Sequence, residues 1–234
     1  MADLLLISNS SLHGSGYLDH CADEIVSFLS DRKKVVFIPY ARPDGISYDT
    51  YTNIAHKRYK KMGFTLKGIH EYETITEAVI DADAFFIGGG NTFVLLTMLY
   101  ETNAISSIRK AVKQGKPYIG TSAGSNVACK SIQTTNDMPI MYPPTFESFG
   151  LTSFNINPHY LDPDPNSTHM GETRETRIKE FLTYNDTSVI GLREGSMLHV
   201  SNNKIVLKGS TGARVFFKDG KKKEYKPGEE ITGL

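Results

Sequence analysis

The stretch Lys-Pro-Tyr-Ile-Gly-Thr-Ser-Ala-Gly-Ser-Asn-Val-Ala-Cys-Lys, residues 116–130, decides how the rest of the chain is read. Tyr118 and Ile119 read as the end of a short buried strand, and Val127 and Ala128 suit the start of a helix. Between them, Gly120-Thr121-Ser122-Ala123-Gly124 matches the strand–turn–helix elbow that lifts a serine out of a sheet edge. Such a turn needs flanking glycines, because a Cβ there would collide with neighbouring backbone. The helix that follows directs free N–H groups toward the serine, where an oxyanion can form. A glycine-rich βα turn that merely packs is the plain alternative; the strand before and the helix after favour a nucleophile.

Working outward, the elbow closes a series of alternating elements. Leu4–Ile7 is a compact apolar run ended by the turn cluster Ser8-Asn9-Ser10-Ser11. Residues 17–29 carry apolar positions at helical spacing, 35–38 are β-rich, and 49–62 suit a polar-faced helix stopped by Gly63. A strand over 64–69, a short helix over 75–81 and a strand over 84–87 follow. Gly88-Gly89-Gly90-Asn91 then opens a helix over 92–100, and a second helix over about 104–114 leads into the elbow strand. Strands alternating with helices imply an α/β fold, a mostly parallel sheet with helices on both faces. Function then gathers at the carboxyl ends of the strands.

Beyond the elbow, residues 131–152 hold Pro139, Pro143 and Pro144 with little periodicity and read as a long surface excursion. A strand over 154–156 ends at Asn157-Pro158-His159. A helix over about 173–183 and a strand over 188–192 follow, the latter running into Arg193-Glu194-Gly195. The tail reads as C-terminal β-hairpins, 198–200 with 205–207 across Ser-Asn-Asn, and 214–217 turning at Asp219-Gly220.

Composition bounds the function classes. The 234 residues are 39% hydrophobic, enough for one α/β domain over residues 1–234 with a sizeable core. The formal net charge of zero points to neither nucleic acid nor an acidic membrane surface. Two cysteines, Cys21 and Cys129, fit a reducing compartment better than a disulfide framework. Leu4–Ile7 lacks the length and the basic flank of a signal peptide, and no apolar run approaches a membrane span. The expectation is a cytoplasmic protein, monomer or homodimer.

A serine hydroxyl is a weak nucleophile until a base takes its proton, and the base works best when a carboxylate orients it. Of seven histidines, His13, His20, His56 and His70 precede the elbow in turns, helix faces or a strand end, and His199 lies within a hairpin strand. His159 differs, because it follows a strand end beside Pro158 and so reaches the same sheet edge as Ser122. Glu194 also follows a strand directly and can reach that edge. An oxyanion would be met by the N–H of Ala123 and by the backbone of Gly88-Gly89-Gly90. A phosphate cradle is the alternative for the triple glycine, but no Gly-Lys-Ser/Thr follows it. Forcing the acid-before-histidine order of α/β-hydrolases would need His199 as base with Asp162 or Asp164. A metal reading would gather His159, Asp162, Asp164 and His169, which is not a recognised ligand spacing. No metal and no cofactor are therefore expected.

The blocks Leu-Leu-Leu-Ile-Ser-Asn-Ser near the start, Phe-Ile-Pro-Tyr at 37–40, Gly-Gly-Gly-Asn-Thr-Phe at 88–93 and Gly-Thr-Ser-Ala-Gly at 120–124 resemble peptidase E, the α-aspartyl dipeptidase family of serine peptidases. Thr-Thr-Asn-Asp-Met-Pro-Ile at 134–140, Ile-Asn-Pro-His at 156–159, Gly-Glu-Thr-Arg-Glu at 171–175 and Val-Ile-Gly-Leu-Arg-Glu-Gly at 189–195 continue the likeness in order. The resemblance implies a fold similar to the class I glutamine amidotransferase domain. It implies Ser122 as nucleophile, His159 as base and Glu194 as acid, with Ala123, Gly89 and Gly90 serving the oxyanion. Its aspartate-recognising arginine corresponds to Arg174, with Arg193 as a rival and Asn91 as a further substrate contact. The implied substrates are dipeptides with a free N-terminal aspartate. A β-aspartyl or cyanophycin-like hydrolase, and a catalytically dead binding module, are the alternatives on the same scaffold.

Overall fold

The short apolar runs form strands buried on both sides, and the amphipathic segments between them form the covering helices. In the computed structural model every residue is described except Met1, Asp44, Gly45 and His169. The elements are β1 (Leu4–Ile7), α1 (Ala22–Leu29), β2 (Lys34–Ile38), α2 (Tyr48–Lys61), β3 (Thr65–Gly68) and α3 (Ile75–Asp81). They continue with β4 (Ala84–Ile87), α4 (Thr92–Glu101), α5 (Ala104–Lys113), β5 (Tyr118–Thr121), α6 (Ala123–Val127) and β6 (Asn155–Pro158). The last are α7 (Arg174–Tyr184), β7 (Val189–Leu192), β8 (Ser196–Ser201), β9 (Lys204–Gly209), β10 (Ala213–Phe216) and β11 (Lys222–Tyr225).

The strands make two sheets. The larger has the order β3-β2-β4-β5-β1-β8-β9; its first five strands are parallel, and the β8–β9 hairpin joins antiparallel beside β1. Alternate side chains along each parallel strand point to opposite faces. Leu5, Ile7, Val35, Phe37, Phe86 and Ile119 meet α1 and α2 through Ile25, Leu29, Tyr51 and Tyr59. Leu4, Leu6, Val36, Ile38, Phe85 and Tyr118 face the other way, toward α3, α4 and α5. The mainly parallel sheet covered on both faces follows from that double burial.

The smaller sheet, β11-β10-β7-β6, departs from the sequence reading, which set β6 and β7 at the edge of the elbow's own sheet. Its β6 and β7 are parallel, and β10 and β11 add antiparallel. Ile156, Ile190, Leu192, Ala213 and Val215 join the core on the α4–α6 side of the large sheet, while Val189 and Phe216 meet α7 through Ile178 and Leu182. Four-residue strands carry no mark of which sheet they will join, so the assignment belongs to tertiary packing.

Three local expectations are corrected. The first helix begins at Ala22 rather than near Tyr17, because Leu18 takes a positive φ of 57° and breaks the periodicity. The helix after the elbow occupies Ala123–Val127 and ends where the apolar pair had placed its start. Packing overrides the weak propensity of Gly124, Ser125 and Asn126, since all three residues are buried. Residues 131–152 are not only a surface excursion. Ile132, Thr134, Ser148 and Phe149 are buried, whereas Met138, Ile140 and Tyr142 form the exposed arc.

Candidate active site

The elbow is built as its glycines require. A Cβ on Gly120 would stand 2.5 Å from the Gly124 carbonyl oxygen, and one on Gly124 would stand 2.2 Å from that of Ile87. The residue between them, Ser122, adopts φ 51° and ψ −111°, a conformation side chains other than glycine rarely take. Its backbone is held from both sides: its N–H donates to the Ile7 carbonyl at 3.0 Å, and its carbonyl accepts from Ser125 and Asn126 at 2.9 and 3.0 Å. Ser125 Oγ ties the same turn to the carbonyls of Ile7 and Gly120.

His159 lies beyond the end of β6, also at positive φ (52°). Its Nε2 is 3.0 Å from Ser122 Oγ, and its Nδ1 is 2.6 Å from Glu194 Oε1. Glu194 occupies the turn where the chain passes from β7 of the small sheet to β8 of the large one. Gly195 supplies the positive φ (83°), and its N–H donates to Asn9 Oδ1 at 2.9 Å. The structure thus brings Ser122, His159 and Glu194 into one hydrogen-bonded line.

The two sheets are registered by Ser8 and Asn9, which the sequence reading treated only as a turn. Ser8 Oγ donates to the Leu192 carbonyl at 2.8 Å and accepts from the His159 N–H at 2.9 Å. Asn126 Nδ2 and Thr134 Oγ1 both donate to the Ile156 carbonyl at 2.8 Å, and Asn136 Nδ2 donates to that of Pro158 at 2.6 Å. Buried polar contacts of this kind hold one geometry, because each group left unpaired would be costly.

A cavity of about 490 Å³ opens over Ser122, lined by Arg42, Gly89, Gly90, Asn136, Asp137, His159 and Arg174 among others. A Cβ on Gly89 would lie 3.1 Å from Ser122 Cβ, so its backbone approaches the serine closely. Ala123 is the first residue of α6, where N–H groups have no partner within the helix. Arg174, the first residue of α7, is half-buried and holds no carboxylate among the described residues. Burial and neighbouring Arg177 push its pKa down from the usual arginine value, against the pull of Asp137.

Other candidates lie elsewhere. Arg193 is gripped by both oxygens of Asp162, at 2.7 and 2.8 Å, and by Glu224, which leaves Arg174 as the freer cation. Asn91 does not line the cavity. Its Oδ1 caps α4 by accepting from Val94 N–H, and its Nδ2 donates to the Met138 carbonyl. His199 bonds Asp3 at the amino edge of β1, on the side away from the elbow. Asp162 is held by Arg193 and Arg214, and His169 of the metal reading lies outside the described residues. The sequence reading gave no role to Asp137 and Asn136, although both stand in the quoted block 134–140; Arg42 carried no signal at all. Asp137 Oδ2 accepts from Thr92 N–H at 2.7 Å and Thr92 Oγ1 at 2.6 Å, which locks this arc onto the start of α4.

A layered α/β protein whose strand–turn–helix presents a serine to a histidine–carboxylate pair has the architecture of a serine hydrolase. The profile of peptidase family S51 matches residues 4–208. The chain is 48% identical over 232 residues to a protein named peptidase E from Streptomyces coelicolor, covering 99% of this chain and 94% of that one. It is 46% identical over 235 residues to a probable alpha-aspartyl dipeptidase of Drosophila melanogaster, covering 99% and 97%. The crystal structure of a peptidase from an acI-B1 actinobacterium shares the fold, with a TM-score of 0.73 at 19% identity over 100% of this chain and 97% of that one. This chain belongs to peptidase family S51.

Proposed function

We propose that the protein is a serine dipeptidase that hydrolyses Asp-X dipeptides through an acyl-enzyme on Ser122. The observation that carries the reading is the line Ser122–His159–Glu194 opening into a cavity that also holds Arg174, which has no carboxylate partner among the described residues. His159 Nε2 takes the Ser122 hydroxyl proton while Oγ attacks the aspartyl carbonyl carbon. Glu194 holds Nδ1 and stabilises the imidazolium. The oxyanion accepts hydrogen bonds from Ala123 and from Gly89 or Gly90. As the C–N bond breaks, the imidazolium returns its proton to the leaving amine. A water activated by His159 then cleaves the ester and releases aspartate, restoring the serine hydroxyl.

Selectivity follows from charge. A buried carboxylate without a partner is costly, and a guanidinium grips it with two parallel hydrogen bonds, which assigns the aspartate side chain to Arg174. Asp137 adds negative charge to the same cavity and suits a free α-ammonium. The name of the Drosophila relative agrees with this substrate class.

The test is Arg174→Ala assayed on matched Asp-X and Asn-X dipeptides, with β-aspartyl and N-blocked peptides beside them. Loss of one member of a buried charged pair costs about 2–5 kcal/mol, roughly 30-fold to several thousand-fold in kcat/KM for Asp-X. Asn-X, where cleaved at all, should lose far less. Equal losses would make Arg174 a structural residue, and wild-type preference for β-aspartyl bonds would move the substrate class.

A further inference from the structure

Arg42 follows directly on Ala41, whose carbonyl oxygen accepts from Asn91 N–H at 2.7 Å. Ala41 also packs against Gly90 so closely that a Cβ there would stand 2.1 Å from the same oxygen. Gly90 adjoins Gly89, and Gly89 adjoins Ser122. This chain of contacts sets Arg42 on the rim of the cavity over the serine, next to the glycine backbone. Its guanidinium carbon lies over the Tyr51 ring, 4.9 Å from the centroid. A cation over a ring face is attracted to it without using up its N–H donors. Arg58, Arg177, Arg193 and Arg214 each hold a carboxylate, and Arg109 holds two carbonyls. Arg42 and Arg174, the two arginines that line the cavity, hold neither among the described residues.

An Asp-X dipeptide presents two carboxylates, one on the aspartate side chain and one at the C-terminus of X. Among the described residues the cavity presents two guanidinium groups without a carboxylate partner, and the one carboxylate that lines it, Asp137, is bound to Thr92. We infer that Arg42 receives the free C-terminal carboxylate of the leaving residue, and so selects dipeptides over longer or C-terminally blocked peptides. The inference rests on the reading that Arg174 takes the aspartate side chain. Because X leaves as a free amino acid, this contact acts on binding and acylation and is gone before the ester is hydrolysed.

The experiment compares Asp-Leu with its C-terminal amide, Asp-Leu-NH2, on the wild-type protein and on Arg42→Met and Arg42→Lys. Methionine keeps an unbranched apolar stem over Tyr51, and the amide measured on the same sample controls for folding. The wild type should prefer the free acid over the amide by about tenfold or more in kcat/KM, the scale of a charge-assisted hydrogen bond. Arg42→Met should bring that ratio close to one, and Arg42→Lys should restore part of it. With the Ser122→Ala protein, calorimetric binding of the two peptides should differ in the same sense. A wild-type ratio near one, or an unchanged ratio in Arg42→Met, overturns the inference while leaving the Asp-X reading intact. Failure to bind or cleave either peptide overturns both.

Discussion

At the scale of single residues, Ser122 trades stability for exposure. Its φ of 51° and ψ of −111° place a Cβ where glycine is the comfortable residue, and positions of this kind store about 1–3 kcal/mol. Ser122→Ala and Ser122→Gly both remove the hydroxyl and its bond to His159, but only glycine releases the backbone. Both variants should lose about 10⁴-fold or more in kcat, as groups acting as a unit do. Ser122→Gly should melt about 2–4 °C above Ser122→Ala, the shift that roughly 1 kcal/mol produces in a chain this long. Equal melting temperatures, measured by calorimetry, would mean that the turn is unstrained. The thiols make a contrasting case. Burial pushes Cys21 and Cys129 up to about 12, so neither is a nucleophile at neutral pH. Iodoacetamide applied to the folded protein should leave peptidase activity unchanged, and inactivation with labelling of Cys129 would contradict the packing around α6.

At the scale of elements, α7 carries Arg174 at its first position and is anchored by Glu175 at its second. The Glu175 side chain is only 9% exposed and pairs with Arg214, Lys179 and Lys222. Arg214 in turn reaches Asp162, Glu224 and the Tyr160 hydroxyl, joining β10, β11 and the loop after His159. Removing it leaves Glu175 with two lysines, so the loss is smaller than for a fully orphaned buried charge. Arg214→Met should cost about 1–3 kcal/mol of stability. It should also raise KM for Asp-X more than it lowers kcat, because it loosens the helix that bears Arg174 and leaves the serine elbow alone. A change in kcat alone, in steady-state kinetics, would show that the network serves Glu194 instead.

At the scale of the whole molecule, two sheets that share a core on the α4–α6 side must stay in register for the site to exist. The small sheet's charged rim ties this register to pH. Hydrogen bonds from Arg193 hold Asp162 below the usual carboxylate range. Burial would raise Glu224, but hydrogen bonds from Arg193 and Arg214 outweigh it and hold it low as well. Carboxylates depressed in the folded state contribute stability above the unfolded pKa near 4, and that contribution is lost as pH falls through the folded value. The contribution of this rim should therefore be complete down to about pH 5 and be lost below about 4, as read in thermal melts. In Arg214→Met the fall should be shallower, and an identical acid limb would exclude the network as its source. Among the described residues no helix is long and apolar enough to cross a membrane.

By itself the sequence determined the local pieces. The Gly120–Gly124 elbow, the strand ends before His159 and Glu194, and the hairpin turns are readable because backbone sterics act over a few residues. Glycine spacing, proline and apolar period report those sterics directly. Only the tertiary structure decided that β6 and β7 form a second sheet, which delivers His159 and Glu194 to Ser122 from across a sheet boundary. The contacts responsible, such as Ser8 with Leu192 and Asn9 with Gly195, span more than 180 residues and use side chains that look like ordinary turn formers. The same limit hid the place of Arg42 on the cavity rim and the cap that Asn91 makes on α4. Whether a polar side chain faces a substrate or caps a helix depends on which partner folding brings to it, and one-dimensional spacing does not encode that partner.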